Sequence, residues 1–484
     1  MKNKILIKRV LLPAILLVSA LGLHSCSDFL NVRPKSEILA QMHFDRESGY
    51  FDQLIGVYTK MCEQNMYGRN MTFGLMEVVS QNYDLNASSA YTYAASYDYE
   101  MTTIKSIIDA MWLNSYNCIA NLNILLQYID EVDPAIFSDN NYSIYKGEAL
   151  GLRAFLHLDM LRIFAPSPAS SANAKAIPYV KEYSPKITEH STVTQVLEYI
   201  IADLLEAIEL LKVDPWFASP TSTEKYNNSG RRNYFNYFAA NLTLARAYLY
   251  KGDKVNALKY AQVIIDEKEL LGGAFSWVHF TAIETTFDYE CDRLFSPEHI
   301  FRLRINNMDE IIRPYFTSNA TSNKFSPSET KADIIFEKSS KGYGNDYRML
   351  KGFAYDGAEQ YLSKFWQYEQ SARNNQYPLM RMSEAYYIAA EALKDSSPLE
   401  AIALLNEVRS NRNLADFTLP DNLTSSEIQA EIKKEYRKEF LGEGQYFFYH
   451  KRLNLSTIEG AGVNATDAVY VIPMPDNELE FGGR

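Results

Sequence analysis

The 484-residue sequence predicts an all-α protein, a frame of helical hairpins interrupted by long, loop-rich aromatic insertions, and three observations carry that prediction. Beyond residue 50, apolar residues recur at spacings of three and four, the signature of helices with one buried stripe. The predicted helices mostly come in pairs with short connections, which favours antiparallel hairpins. Residues 80–99 and about 272–376 lose the periodicity yet stay rich in Tyr, Trp and Phe, so they read as ordered loops and not as disorder. At 47% hydrophobic and 22% charged residues the composition is that of a globular protein, which excludes collagen, wholesale disorder and a polytopic membrane protein.

Taken in order, the chain begins with Lys2, Lys4, Lys8 and Arg9 and no acid, then an apolar run of 14 residues from Val10 to Leu23. That run is shorter than the roughly 20 residues a spanning helix needs, so it reads as a signal peptide. Its end, Leu23-His24-Ser25-Cys26, resembles a bacterial lipobox and predicts a lipoprotein signal over 1–25 with lipidation at Cys26. Removal of those four cations moves the net charge from -12 to -16. An acidic chain is a poor partner for nucleic acid, whose phosphates require clustered Lys and Arg. Cys62, Cys118 and Cys291 remain, widely spaced and odd in number, so they predict small apolar groups and no disulfide framework.

Helices are predicted at about 52–65, 104–129, 142–164, 193–211 with Ser191 or Thr192 as cap, 234–250, 254–267, 378–394, 398–412 and 426–442. Within them Tyr237, Leu244, Ala245, Tyr248, Gly252, Asp253, Ala257 and Ala261 fall at tetratricopeptide spacing. A weaker copy appears as Ile388, Ala389, Ala392, Ala401, Leu405 and Val408. The mature chain is expected to be a single domain over 26–484. Its parts are an N-terminal helical part (26–270), a loop-rich insertion (271–376) and a C-terminal helical part (377–484).

No metalloprotease, phosphate-loop, dinucleotide or nucleophile-elbow motif is present, so no catalytic residue, metal ligand or cofactor is assigned. A glycosidase needs only two suitably placed carboxylates, and among 60 acids sequence alone leaves such a pair open. The candidates for binding are aromatic. Of 64 aromatic residues 35 are Tyr, and Tyr83, Tyr91, Tyr93, Tyr97 and Tyr99 crowd one loop beside Asn82, Asp84 and Asn86. Such rings either pack the loop onto the frame or offer an apolar face flanked by polar groups, the pairing a sugar requires. Asn82, Asp84, Tyr91, Tyr93, Trp277, Tyr315 and Trp366 are the expected ligand-binding residues.

Several blocks carry a resemblance to a known family. They are Cys26-Ser-Asp-Phe-Leu-Asn-Val-Arg-Pro, Glu148-Ala-Leu-Gly-Leu-Arg153-Ala-Phe with Ile177-Pro178, the hairpin at 237–264, and Arg381-Met-Ser-Glu384-Ala-Tyr-Tyr-Ile-Ala-Ala-Glu391-Ala. Leu405-Asn-Glu-Val-Arg409-Ser-Asn-Arg412, Glu435-Tyr-Arg437-Lys-Glu439-Phe with Glu443-Gly444, and Val471-Ile-Pro473-Met-Pro475 through Glu478 follow in order. Together they resemble the SusD/RagB nutrient-uptake lipoproteins of Bacteroidetes. The resemblance implies a non-catalytic, surface-exposed outer-membrane lipoprotein, anchored by its lipid. It would bind an oligosaccharide or another oligomeric nutrient and hand it to a SusC-like TonB-dependent transporter. Peptides are the alternative cargo, and a surface glycoside hydrolase or a tetratricopeptide scaffold for envelope assembly are the alternative roles. Arg153, Glu384, Glu391 and Arg409 are expected to form buried or interhelical pairs, leaving ligand contacts to the loops. The sequence departs from the family after Glu443-Gly444, where Tyr446, Tyr449 and His450 precede Arg452.

Overall fold

The computed structural model describes residues 41–218, 228–269 and 274–483. The signal peptide and Cys26 lie outside the described residues. The long helices are α1 (Glu47–Met61), α2 (Thr102–Glu131), α3 (Asn141–Phe164), α4 (Val193–Leu210), α5 (Tyr237–Lys251) and α6 (Lys254–Glu269) in the first half of the chain. In the second half follow α7 (Met308–Phe316), α8 (Glu329–Phe336), α9 (Met382–Leu393), α10 (Pro398–Arg409), α11 (Ser425–Glu439), α12 (Tyr446–Arg452) and α13 (Asp476–Phe481). Three two-stranded antiparallel ribbons complete the fold: β1 (Lys175–Pro178) with β2 (His190–Thr192), β3 (His299–Arg304) with β6 (Gln376–Arg381), and β4 (Phe353–Asp356) with β5 (Glu359–Leu362).

The helices pack as successive hairpins: α3 on α4, α5 on α6, α6 on α9 and α9 on α10. Gly252 closes the α5–α6 hairpin at φ 87°, a left-handed conformation that glycine adopts without a Cβ clash. Ala257 and Ala261 are fully buried, so the small residues of the tetratricopeptide spacing are where two helices meet. Thr192 caps α4 through a reciprocal capping box with Gln195. Thr192→Ala is expected to cost about 1 kcal/mol, read as a lowered urea midpoint at unchanged slope.

The family blocks build the interior. Arg153 holds Asp203 through Nε and Nη2 at 2.7 and 2.9 Å, and Arg246 holds Glu384 through two bonds of 2.7 Å. Arg452 holds Glu391 through two more of 2.7 Å, and Arg409 donates to Glu435 at 2.7 Å. The expected buried pairs therefore form, and each joins two different helices.

Two sequence expectations need correction. The helix expected at 378–394 starts only at Met382, because residues 376–381 pair with β3; Pro378 has no N–H to give a helix interior. Of the three cysteines Cys118 is buried, whereas Cys62 and Cys291 are half-buried and donate their thiols to the carbonyls of Arg304 and Ile283. Residues 274–376, within the expected insertion, contribute α7, α8 and β3–β5 as well as loops.

Candidate functional site

The tyrosine loop is joined through residues 83–91 to the chain between α7 and α8, and the seam is built around one ring. Phe325 is fully buried, with Tyr315 stacked on it at 4.7 Å and 20°, Tyr83 at 5.3 Å and 5°, and Tyr91 edge-on at 5.0 Å and 88°. Around this apolar centre the loop backbones are tied by polar groups. The Asp84 N–H donates to the Ser326 carbonyl at 3.0 Å, and the Asp84 carboxylate accepts from the Ser328 N–H at 2.7 Å and pairs with Lys331 at 2.6 Å. Burial works to raise the Asp84 carboxyl, but Lys331 and Ser328 outweigh it and hold it below the usual carboxylate range. Ser89 donates to the Asn323 amide oxygen at 2.6 Å. On the other flank Tyr91 donates to Asn70 at 2.8 Å, and Arg69 donates to the Tyr315 hydroxyl and to Gln64.

Six of the expected binding residues converge here, but they do different things. Tyr93, on the short helix Thr92–Ala95 that follows Tyr91, is 41% exposed and is the open ring of the loop. Asp84 is exposed and already committed to Lys331. Tyr91, at 5%, and Tyr315, at 9%, were expected to meet a ligand; their rings are instead spent on Phe325, and burial pushes the Tyr91 hydroxyl well up. Asn82 is fully buried, donating to Glu77 and accepting from Arg437 at 2.8 Å each, so it braces the loop against α11 and is out of a ligand's reach. Trp366 lies behind the seam and donates its indole N–H to the Phe316 carbonyl at 2.7 Å. Trp277 sits elsewhere, bonded to Glu407 at 2.9 Å, packed on Tyr386 at 5.0 Å and covered by the Arg412 guanidinium.

The residues that sequence reasoning missed are Arg69, Asn70, Asn323 and Phe325. A usable signal was the run Thr317-Ser-Asn-Ala-Thr-Ser-Asn323, dense in hydroxyls and amides and separated from Phe325 only by Lys324. Besides the exposed Tyr93 ring, the seam carries partly or fully exposed amides (Gln64, Asn86, Asn323) and the partly buried Arg69. That arrangement suits hydrogen bonding and ring stacking with a neutral polar ligand. Among the described residues no group of three or more His, Cys, Asp or Glu is placed to hold a metal ion.

Fold and seam together define a class: an α-helical protein that carries a rigid, loop-built polar and aromatic surface on tetratricopeptide-like hairpins. The chain belongs to the SusD family. One family model, described as starch-binding and associating with the outer membrane, matches residues 28–249, and a second, described as the SusD family, matches residues 307–478. A SusD-like protein of Formosa agariphila is 22% identical over 476 residues, which cover 92% of each chain. Among solved structures, a SusD superfamily protein of Bacteroides fragilis aligns with a TM-score of 0.68 at 20% identity, covering 90% of this chain and 97% of that one. One from Bacteroides thetaiotaomicron aligns at 0.65 and 21% identity, covering 90% and 98%, and a laminarin-binding SusD-like protein at 0.63 and 18%, also covering 90% and 98%. At these identities the solved structures establish the fold.

Proposed function

We propose that this chain is a non-catalytic outer-membrane lipoprotein, anchored through acyl chains on Cys26, that captures a neutral oligosaccharide at the tyrosine seam. It then delivers that ligand to a SusC-like TonB-dependent transporter. The observation that carries the reading is the open Tyr93 ring on a loop whose residues Asp84, Ser89 and Tyr91 are tied to the chain from Asn323 to Lys331, with amides exposed along that seam. A pyranose offers an apolar face to the ring and hydroxyls to the amides, and a preformed site loses little entropy on closing round it. The family description and the laminarin-binding relative support the choice of glycan, and the acidic chain disfavours an anionic one. The lipid anchor follows from the lipobox-like end of the signal sequence.

The test is affinity electrophoresis through gels containing laminarin, starch or other neutral polysaccharides. The protein is expected to be retarded by at least one of them. Tyr93→Ala should weaken that binding about tenfold, or about 1.4 kcal/mol, while the melting temperature stays put because the ring is exposed. Tyr91 is unsuitable for this experiment, since its removal would disturb Phe325. If no neutral glycan retards the protein, or if Tyr93→Ala migrates like the parent, the seam is not the capture site.

A further inference from the structure

A second concave surface lies away from the seam. A groove of about 640 Å3 runs between the N-terminal half of α2, the chain following β1, and α13, within the size range of ligand sites. Its floor is aromatic: Trp112 and Tyr116 stand 4.7 Å apart, Phe164 meets Trp112 edge-on at 4.9 Å, and the Tyr116 hydroxyl donates to the Pro178 carbonyl at 3.0 Å. Its rims are apolar and open, with Leu113 68%, Ile187 66% and Phe481 61% exposed. Single exposed apolar side chains are ordinary, but three large ones around one depression form a patch of the kind that marks contact surfaces.

The polar groups of the groove are mostly committed. Asp476 is bonded to Lys105 at 2.7 Å, and Glu478 lies 2.7 Å from His190 Nε2, while His190 Nδ1 lies 2.9 Å from the Ala176 carbonyl oxygen. Lys186 stands exposed on the loop side. Asp109 differs from its neighbours. One carboxylate oxygen is shut off from water with no donor, and burial together with the charge of Asp476 raises that carboxyl despite Lys105. With one oxygen cut off from water the carboxylate is under-solvated, and a cation at its partly exposed side would favour its charged form. The surroundings are biased acidic by Asp109, Asp476, Glu478 and Glu480 in a chain of net charge -12, which favours a cationic donor.

We propose that this groove docks a segment of a partner protein in which an apolar side chain adjoins an arginine or lysine. The apolar group fills the space between Leu113, Ile187 and Phe481, and the cation donates to Asp109. The inference is independent of the glycan reading, because α2, α13 and residues 181–189 supply none of the seam.

The probes are two peptides, acetyl-Phe-Arg-Leu-amide and its isosteric neutral counterpart with citrulline for arginine, titrated calorimetrically into the full-length mature protein. The arginine peptide is expected to saturate and to bind at least tenfold more tightly than the citrulline peptide. Asp109→Asn should abolish that preference at unchanged melting temperature and leave glycan retardation intact, while Leu113→Ser with Ile187→Ser should weaken both peptides. No saturable binding at millimolar peptide, equal affinity for the two peptides, or an unchanged preference in Asp109→Asn each overturns the proposal.

Discussion

Glu439→Gln is expected to lower the stability of the protein by about 3–5 kcal/mol, a large part of the margin of an ordinary domain. Glu439 ends α11 inside the molecule and is contacted by three guanidiniums. Arg412 reaches it at 2.7 and 3.0 Å, Arg348 at 3.0 Å and Arg381 through Nη1, with the Ser383 hydroxyl at 3.0 Å. Arg412 in turn holds Glu298 at 2.6 and 2.8 Å, Arg348 holds Asp346 at 2.7 Å and Glu435 at 2.8 Å, and Arg381 holds Glu443 at 2.8 Å. All of these side chains are buried. A neutral glutamine would leave three cations short of one countercharge in a site where water cannot substitute, and the penalty is that of an uncompensated buried charge. An exposed pair such as Arg313 with Asp309 is expected to contribute below about 1 kcal/mol by the same measurement. Urea unfolding followed by far-UV circular dichroism decides the matter, and a midpoint within error of the parent would show that the lattice tolerates the loss.

The same lattice sets the response to acid. Burial works to raise the carboxyls of Glu435 and Glu439. Arg348 and Lys438 at the first, and Arg412 and Arg381 at the second, outweigh it and hold both well below the usual carboxylate range. A carboxyl depressed in the folded state contributes stability that is complete above its unfolded value, about 4.3, and is lost as pH falls below it. The urea midpoint is therefore expected to be insensitive to these groups from pH 7 down to about 5 and to drop below about 4.3. The drop should be shallower in Glu439→Gln.

The frame was legible in the sequence because helical periodicity is local. The stripes at 104–129 and 193–211 match α2 and α4 nearly end to end, and Arg153, Glu384, Glu391 and Arg409 form the pairs expected of them. What stayed hidden depends on partners far apart in the chain. β3 pairs with a segment more than 70 residues downstream, and neither strand alternates cleanly, since β3 is buried at five successive positions. The tyrosine loop shows the same limit at the site. Tyr91 and Tyr93 are alike in sequence context, yet one is sealed on Phe325 and the other is open, a distinction made by residues 315–326 and not by the loop itself.

That dependence makes Phe325→Ala the sharper perturbation of the seam. Removing a fully buried phenylalanine is expected to cost about 3–5 kcal/mol, here from the contacts with Tyr315, Tyr83 and Tyr91. The effect should be regional, because the ring joins two loops whose other contacts are polar ties such as Asp84 with Ser326 and Ser89 with Asn323 and the edge-on packing of Tyr83 against Phe316. Amide exchange is expected to accelerate across 83–99 and 317–328 while the amides of α11 keep their protection, the signature of a local opening. Tyr93 would then lose the fixed backbone that presents it, so glycan retardation should fall at least as far as in Tyr93→Ala even though the ring itself is present. Phe325→Leu, which keeps an apolar filler, should restore most of the exchange protection and part of the binding. If exchange at 83–99 is unchanged in Phe325→Ala, the polar ties alone hold the seam and the aromatic cluster serves only as filling.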